Sequence, residues 1–368
     1  MTEPLSAARV AKEINRVLED KPHAFAGDKQ LHDTLEEIRN LDKDFEERGG
    51  VFFAAGSNAF ETADRFTKIH VEEYRETGRP SLPALAVHHA EKMGISKTSP
   101  EYKAMIMVAV RAEMKAAVTP DYHSQYHYMD VAAMTANLLE KNNEMVKNGT
   151  PGATPLTKKE QALTFIAAIG HDLGHDGKTN KQQAGLDPKS EKEFNKTYNE
   201  QISFELMVPL LEDAGLKAAD ISKMHTILMT TSPDGPHGVL KSIAKEQREG
   251  RQVDPAIFAK FPELESLAKD KNLTQMAAVV SDSDLYASSG AGLKASTVMS
   301  SFLTEEDKKA GDKRDFTTDG ARKFFLDNIV GKEGYASNAG RAVANESLEA
   351  MRAETERRIG NAQKPPAR

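Results

Sequence analysis

The chain has 368 residues, of which 39% are hydrophobic and 29% charged, with a formal net charge of −7. That length can bury a sizeable core, while the acidic balance and the scattered Lys and Arg argue against a nucleic-acid backbone or an anionic membrane as the main partner. With no cysteine present, disulfides and thiolate ligands are excluded, and any bound metal must be held by nitrogen and oxygen.

A reducing cytoplasm is the expected compartment, although a cysteine-free chain suits a secreted effector equally. Residues 1–15 lack the apolar core of a signal peptide, and no run approaches the length of a membrane span.

Apolar residues recur at three- and four-residue spacing over residues 5–18, 31–45, 60–74, 102–118 and 131–146. The same spacing returns over 161–169, 202–211, 221–229, 276–285 and 324–329. Strict alternation over a strand length is hard to find, so the pattern predicts an all-α, multi-helix fold. Thr157-Lys158-Lys159-Glu160 has the capping-box form at the entrance to one of these helices. Breaks fall at Gly49-Gly50, Arg79-Pro80, 148–155, 232–238 and 290–292. They divide the chain into an N-terminal helical region (1–80), a catalytic body (81–340) and a charged helical tail (341–368).

The chemistry is concentrated in three places. His123 and His127 lie four residues apart, so one helical face presents both imidazoles to the same cavity. His171-Asp172-Leu173-Gly174-His175-Asp176 puts two imidazoles and two carboxylates at the end of an apolar helix. Burying that many ionisable groups is costly unless a counter-charge compensates them, and a divalent cation is the simplest one. Finally, the apolar helix around Val279 ends in Asp282 and Asp284, as a helical-bundle metal site requires. Four of the 11 histidines fall in the first two segments, which favours a metal site over isolated structural histidines.

Together these residues show the His…His-Asp…Asp signature and resemble the HD phosphohydrolases, and within them the catalytic domain of class I 3′,5′-cyclic nucleotide phosphodiesterases. The family's Tyr-His-Asn-x-x-His-Ala-x-Asp-Val is similar to Tyr122-His123-Ser124-x-x-His127-Tyr128-x-Asp130-Val131. Its His-Asp-x-x-His-x-Gly-x-x-Asn stands intact as His171, Asp172, His175, Gly177 and Asn180. Its Tyr-Asn-Asp-x-Ser-Val-Leu-Glu looks like the segment from Tyr198 to Glu205, and its Val-Leu-Ala-Thr-Asp like that from Ile227 to Thr231.

The resemblance implies a compact helical catalytic domain with two divalent ions, zinc and magnesium in the family, with manganese or iron as alternatives. His127, His171, Asp172 and Asp284 would hold the first ion, and Asp172 would bridge to the second. His175, Glu205 and Thr230 would contact the second ion's waters, and His123 would be the general acid. A hydroxide shared by two cations is a competent nucleophile at neutral pH, and a leaving alkoxide needs a proton that His123 could supply. Glu205 has two candidate roles, orienting His123 or anchoring water.

The departures fall where the family reads the base. Its purine-binding glutamine falls at Arg322, and Phe325 would stack on the base. Arginine cannot accept a hydrogen bond, so Arg322 suits an acceptor-rich edge or an extra phosphate. Tyr122 and Asn180 complete the candidate substrate contacts. The expected reaction is hydrolysis of a small phosphodiester, a 3′,5′-cyclic nucleotide by default. Another HD-type phosphohydrolase, or a metal-stabilised helical binding module, is the alternative. Gly334-Tyr335-Ala336 lacks the proline of the HD-GYP branch and lies far from His175.

Overall fold

The computed structural model describes residues 5–19, 22–115, 122–186, 198–233, 235–311 and 313–362, and it contains no strand among them. Helices α1 (Ala7–Leu18) and α2 (Leu31–Glu47) pack on each other. Helix α3 (Ala59–Phe66) continues through a π-helical stretch, Thr67–Glu73, into the short α4 (Tyr74–Thr77). Helices α5 (Leu82–Met93) and α6 (Pro100–Met114) each start from a serine whose hydroxyl accepts a backbone N–H, with proline in the first turn. Helix α5 escaped the spacing pattern because it is buried on nearly every side and carries no polar face.

The centre of the molecule is α7 (Gln125–Lys147), α8 (Lys158–Gly170) and α14 (Lys271–Ser289), which pack on one another. Thr157 and Glu160 form the expected capping box of α8. Between α8 and α14 come α9 (Asn180–Gln183), α10 (Tyr198–Asp213), α11 (Ala218–Met229), α12 (Pro236–Arg248) and α13 (Glu265–Lys269). Helices α15 (Gly292–Lys309) and α16 (Asp319–Phe324) follow, α16 running into a π-helical turn at Phe325–Ile329, and α17 (Asn338–Ala362) closes the structure.

One hydrophobic cluster extends from Val10 to Met351, so the helices before residue 80 share their core with the rest. Buried polar links reinforce the joint: Arg79 pairs with Glu113, Ser81 bonds to Asp42, and His70 Nδ1 lies 2.7 Å from Asp130 on α7. The tail is less detached than its charge suggests. Helix α17 buries Val343, Ala344, Leu348 and Met351 against α3, α7 and α14, and residues 363–368 lie outside the described residues. The segment expected to run as helix to Val118 ends at Met114, and residues 116–121, Asp121 included, also lie outside the described residues.

Candidate active site

Four side chains converge where α7, α8 and α14 meet. Helix α8 stops at Gly170, and His171 occupies its C-cap. The His171 Nδ1 atom lies 2.9 Å from the Ala168 carbonyl oxygen. That carbonyl can only accept, so Nδ1 carries the proton and Nε2 turns a lone pair inward. There it faces His127 Nε2, from α7, at 3.3 Å. Asp172 Oδ2 lies 3.0 Å from His171 Nε2 and 3.1 Å from His127 Nε2. Asp284 Oδ1, from α14, lies 3.2 Å from His127 and 3.5 Å from His171. The two acids of α14 have separate jobs, because residues two apart lie on nearly opposite helix faces. Asp282 instead accepts the N–H groups of Ala336 and Ser337, both at 2.7 Å, ahead of α17.

This cluster demands positive charge. Burial disfavours the imidazolium of His127, but hydrogen bonds to Asp172 and Asp284 outweigh it and push the pKa up to about 9. His171 is likewise raised against the cost of burial by Asp172 and Asp284. Burial would raise the two carboxyls, yet the histidines hold both well below the usual carboxylate range. The carboxylates that favour protons on these imidazoles would equally favour a cation in a nitrogen–oxygen donor set. The ligand atoms of His127, His171 and Asp284 all lie within 4.8 Å of one another, and two imidazoles with carboxylates suit zinc and similar divalent ions. The residues present therefore fit a divalent metal.

A second group adjoins it. His123 Nδ1 is hydrogen-bonded to Glu306 on α15, and its Nε2 lies 3.9 Å from Asp172 Oδ2. The other Glu306 oxygen accepts the N–H groups of Tyr122 at 2.9 Å and His123 at 3.1 Å. Burial opposes ionisation of Glu306, but the facing His123 keeps its pKa lowered. His175 stacks on His123 with ring centroids 3.4 Å apart. Its Nδ1 accepts the Gly177 N–H at 3.1 Å, and burial together with His123 pulls its pKa down to about 3. His123, His175 and Glu306 also have a spacing that could hold an ion. Here, however, both Nδ1 atoms are already engaged, and Glu306 is used to orient His123.

Glu306 was not foreseen, and Glu205 does not take that place. Glu205 is exposed on α10 and accepts from Gln201 at 2.8 Å. The buried carboxylate of α10 is Glu200, pushed up to about 7 by burial. Glu306 sits in the acidic run Glu305-Glu306-Asp307 near the end of α15, which reads as a solvated helix end. The available signal was its register: Ala295, Met299 and Glu306 lie on one buried stripe, so one acid of the run had to point inward.

The remaining candidates divide. The Tyr122 ring lies 4.9 Å from His127 and 4.8 Å from His123, centroid to centroid, at the centre itself. Thr230 is fully buried at the end of α11, where its hydroxyl donates to Ile227 O at 2.6 Å. Its carbonyl accepts from Ser281 at 3.4 Å, one turn before Asp284. The Asn180 amide is taken up by protein: its Nδ2 donates to Glu200 at 3.1 Å and Ser232 at 3.2 Å, and its Oδ1 accepts the Asn199 N–H at 2.8 Å. Arg322 is 4% exposed, with its guanidinium bonded to Asp319 and, at 3.1 Å, to Thr297. Two of its nitrogens are thus taken up within the protein, while Nε is buried without a partner. Phe325 is half-buried and packs against the core.

Residues 122–233, which carry His123, His127, His171, Asp172 and His175, match the family model described as 3′5′-cyclic nucleotide phosphodiesterase. This segment, carried on an all-helical frame, is thus similar to the cyclic nucleotide phosphodiesterases. Among solved structures, LmjPDEB1 in complex with IBMX is 14% identical with a TM-score of 0.54, covering 89% of this chain and 98% of that one. The phosphodiesterase domain of the RhoPDE fusion protein from the choanoflagellate Salpingoeca rosetta is 16% identical with a TM-score of 0.50, covering 87% and 99%. A second structure, of the Salpingoeca rosetta rhodopsin phosphodiesterase domain, is 16% identical with a TM-score of 0.51, covering 88% and 97%. At these identities the structures show a shared fold. A search of curated protein sequences finds no match. Among the described residues, no helix is long and apolar enough to cross a membrane.

Proposed function

We propose that this protein hydrolyses a 3′,5′-cyclic nucleotide to its 5′-monophosphate. The observation that carries the reading is the pairing of a buried His127, His171, Asp172 and Asp284 cluster with an adjacent His123 fixed by Glu306. The four cluster residues would hold a first divalent ion, with zinc favoured by the donor set, and Asp172 would bridge to a second, such as magnesium or manganese. Bound there, divalent ions supply charge neutralisation at the phosphoryl group and a more acidic water.

The protein's own part is proton delivery and orientation. Glu306 engages His123 Nδ1 and leaves Nε2 turned toward the centre, where it protonates the departing alkoxide. The carboxylate also stabilises the imidazolium before the proton leaves. His175, neutral because of burial and His123, is fixed by stacking and by the Gly177 N–H, so its free nitrogen serves a water molecule.

The test is turnover of cyclic AMP, cyclic GMP, a linear dinucleotide and an aryl phosphodiester by the metal-loaded protein. Turnover of a cyclic nucleotide above the other two classes is expected. Inactivity toward both cyclic nucleotides, in protein shown to contain its ions, would overturn the assignment.

A further inference from the structure

The end of α6 places a cation against the metal-binding turn, and nothing above uses it. Lys115 caps α6, and its ammonium donates to the carbonyl of Leu173 and, at 3.3 Å, to that of His175. Both carbonyls belong to the turn that follows α8, where helical hydrogen bonds have ceased and oxygens need other donors. One side chain thus ties together two carbonyls of the short stretch from Asp172 to His175, that of Leu173 next to Asp172 and that of His175 itself. Burial disfavours the ammonium, and the nearby Asp172 and Asp176 partly restore it, so the charge is kept in a costly place.

The other ligands do not depend on this clamp. His171 is fixed by Ala168, His127 comes from α7 and Asp284 from α14. Only the direction of the Asp172 carboxylate and the seating of the His175 ring on His123 follow from the path of the turn. In the two-ion reading His175 serves only the second ion's waters and Asp172 is the bridge to that ion, whereas the first ion would keep three ligands that do not depend on the turn.

We propose that Lys115 is a positioning residue that builds the second-ion half of the centre, and this rests on the two-ion reading above. Outer partners of metal ligands typically change affinity by about 10- to 100-fold when removed. The experiment titrates zinc-loaded protein with Mn2+ by calorimetry, alongside zinc content and thermal melting, for wild type, Lys115→Met and Lys115→Gln. Glutamine keeps an N–H donor without the charge and serves if the methionine variant does not fold.

The expected result is full zinc content with Mn2+ affinity weakened by about tenfold or more, and activity recovered by excess Mn2+. Unchanged Mn2+ affinity in a folded variant would overturn the inference alone. Equal weakening of both ions with a large fall in melting temperature would also overturn it, because that is a merely structural lysine. A wild-type protein with no second Mn2+ site would remove the two-ion reading and this inference together.

Discussion

The groups around His171 and those around Arg322 are both buried and polar, but their charges are settled in opposite ways. Arg322 finds its counter-charge within its own helix, in Asp319, and a further acceptor in Thr297. Around His171, two imidazole nitrogens and two carboxylates point at one spot, and neutrality there requires protons or a cation. A buried charge with an internal partner reads as architecture, whereas converging ligands that share no internal cation read as a binding site. The same contrast separates Asp282, satisfied by two backbone N–H groups, from Asp284.

The contrast can be broken from either side. The largest effect is expected for Asp172→Ala or Asp284→Ala, which should lose bound metal and roughly a thousandfold or more in turnover, as metal analysis and kinetics would show. Next comes His123→Ala, with a loss of about 10²- to 10⁴-fold in kcat and metal content close to wild type. If that variant lost its metal, His123 would be a ligand and the division between the two groups would fail.

Glu306→Gln should cost less, about 10- to 100-fold, by removing the anion that faces the imidazolium. The corresponding Glu205→Gln change should leave kcat close to wild type, because that side chain is exposed and bonded to Gln201.

A pH effect sharpens the metal side. The pKa of His127 is raised to about 9 in the metal-free fold, so protons compete with a cation at neutral pH. Metal affinity should therefore rise with pH through the neutral range, with proton release visible by calorimetry in buffers of different ionisation enthalpy. In the metal-free protein, the histidine–carboxylate contacts stabilise the fold most below about pH 6.5, the ordinary histidine value. That contribution should disappear as pH rises through about 9. A pH-independent affinity would mean that protons do not occupy the cluster.

The smallest functional effect belongs to Arg322→Gln, which should leave the preference between cyclic AMP and cyclic GMP unchanged. It should lower stability by about 1–3 kcal/mol through the lost bonds to Asp319 and Thr297, read by denaturant unfolding. A switch in preference would put Arg322 back at the substrate.

How much was legible depended on how local each signal was. Helices α1, α2 and α11 announce themselves by period because one face meets water and the other the core. Helices α5 and α12 did not: the first is buried all round, and the second begins at Pro236 inside a stretch that reads as a break. The Ser- and Thr-rich α15 has weak helical propensity and no strong period, so the register that turns Glu306 inward is hard to read from the sequence.

The sequence by itself determined the all-helical frame and the metal-cluster candidates. Ligand chemistry resides in side-chain type, and a helix's period brings His123 and His127 to one face without outside help. Only the tertiary structure decided which distant acid meets His123 and whether Arg322 is free. Those outcomes depend on which face of α10, α15 and α16 turns inward, and packing across the whole core sets that orientation.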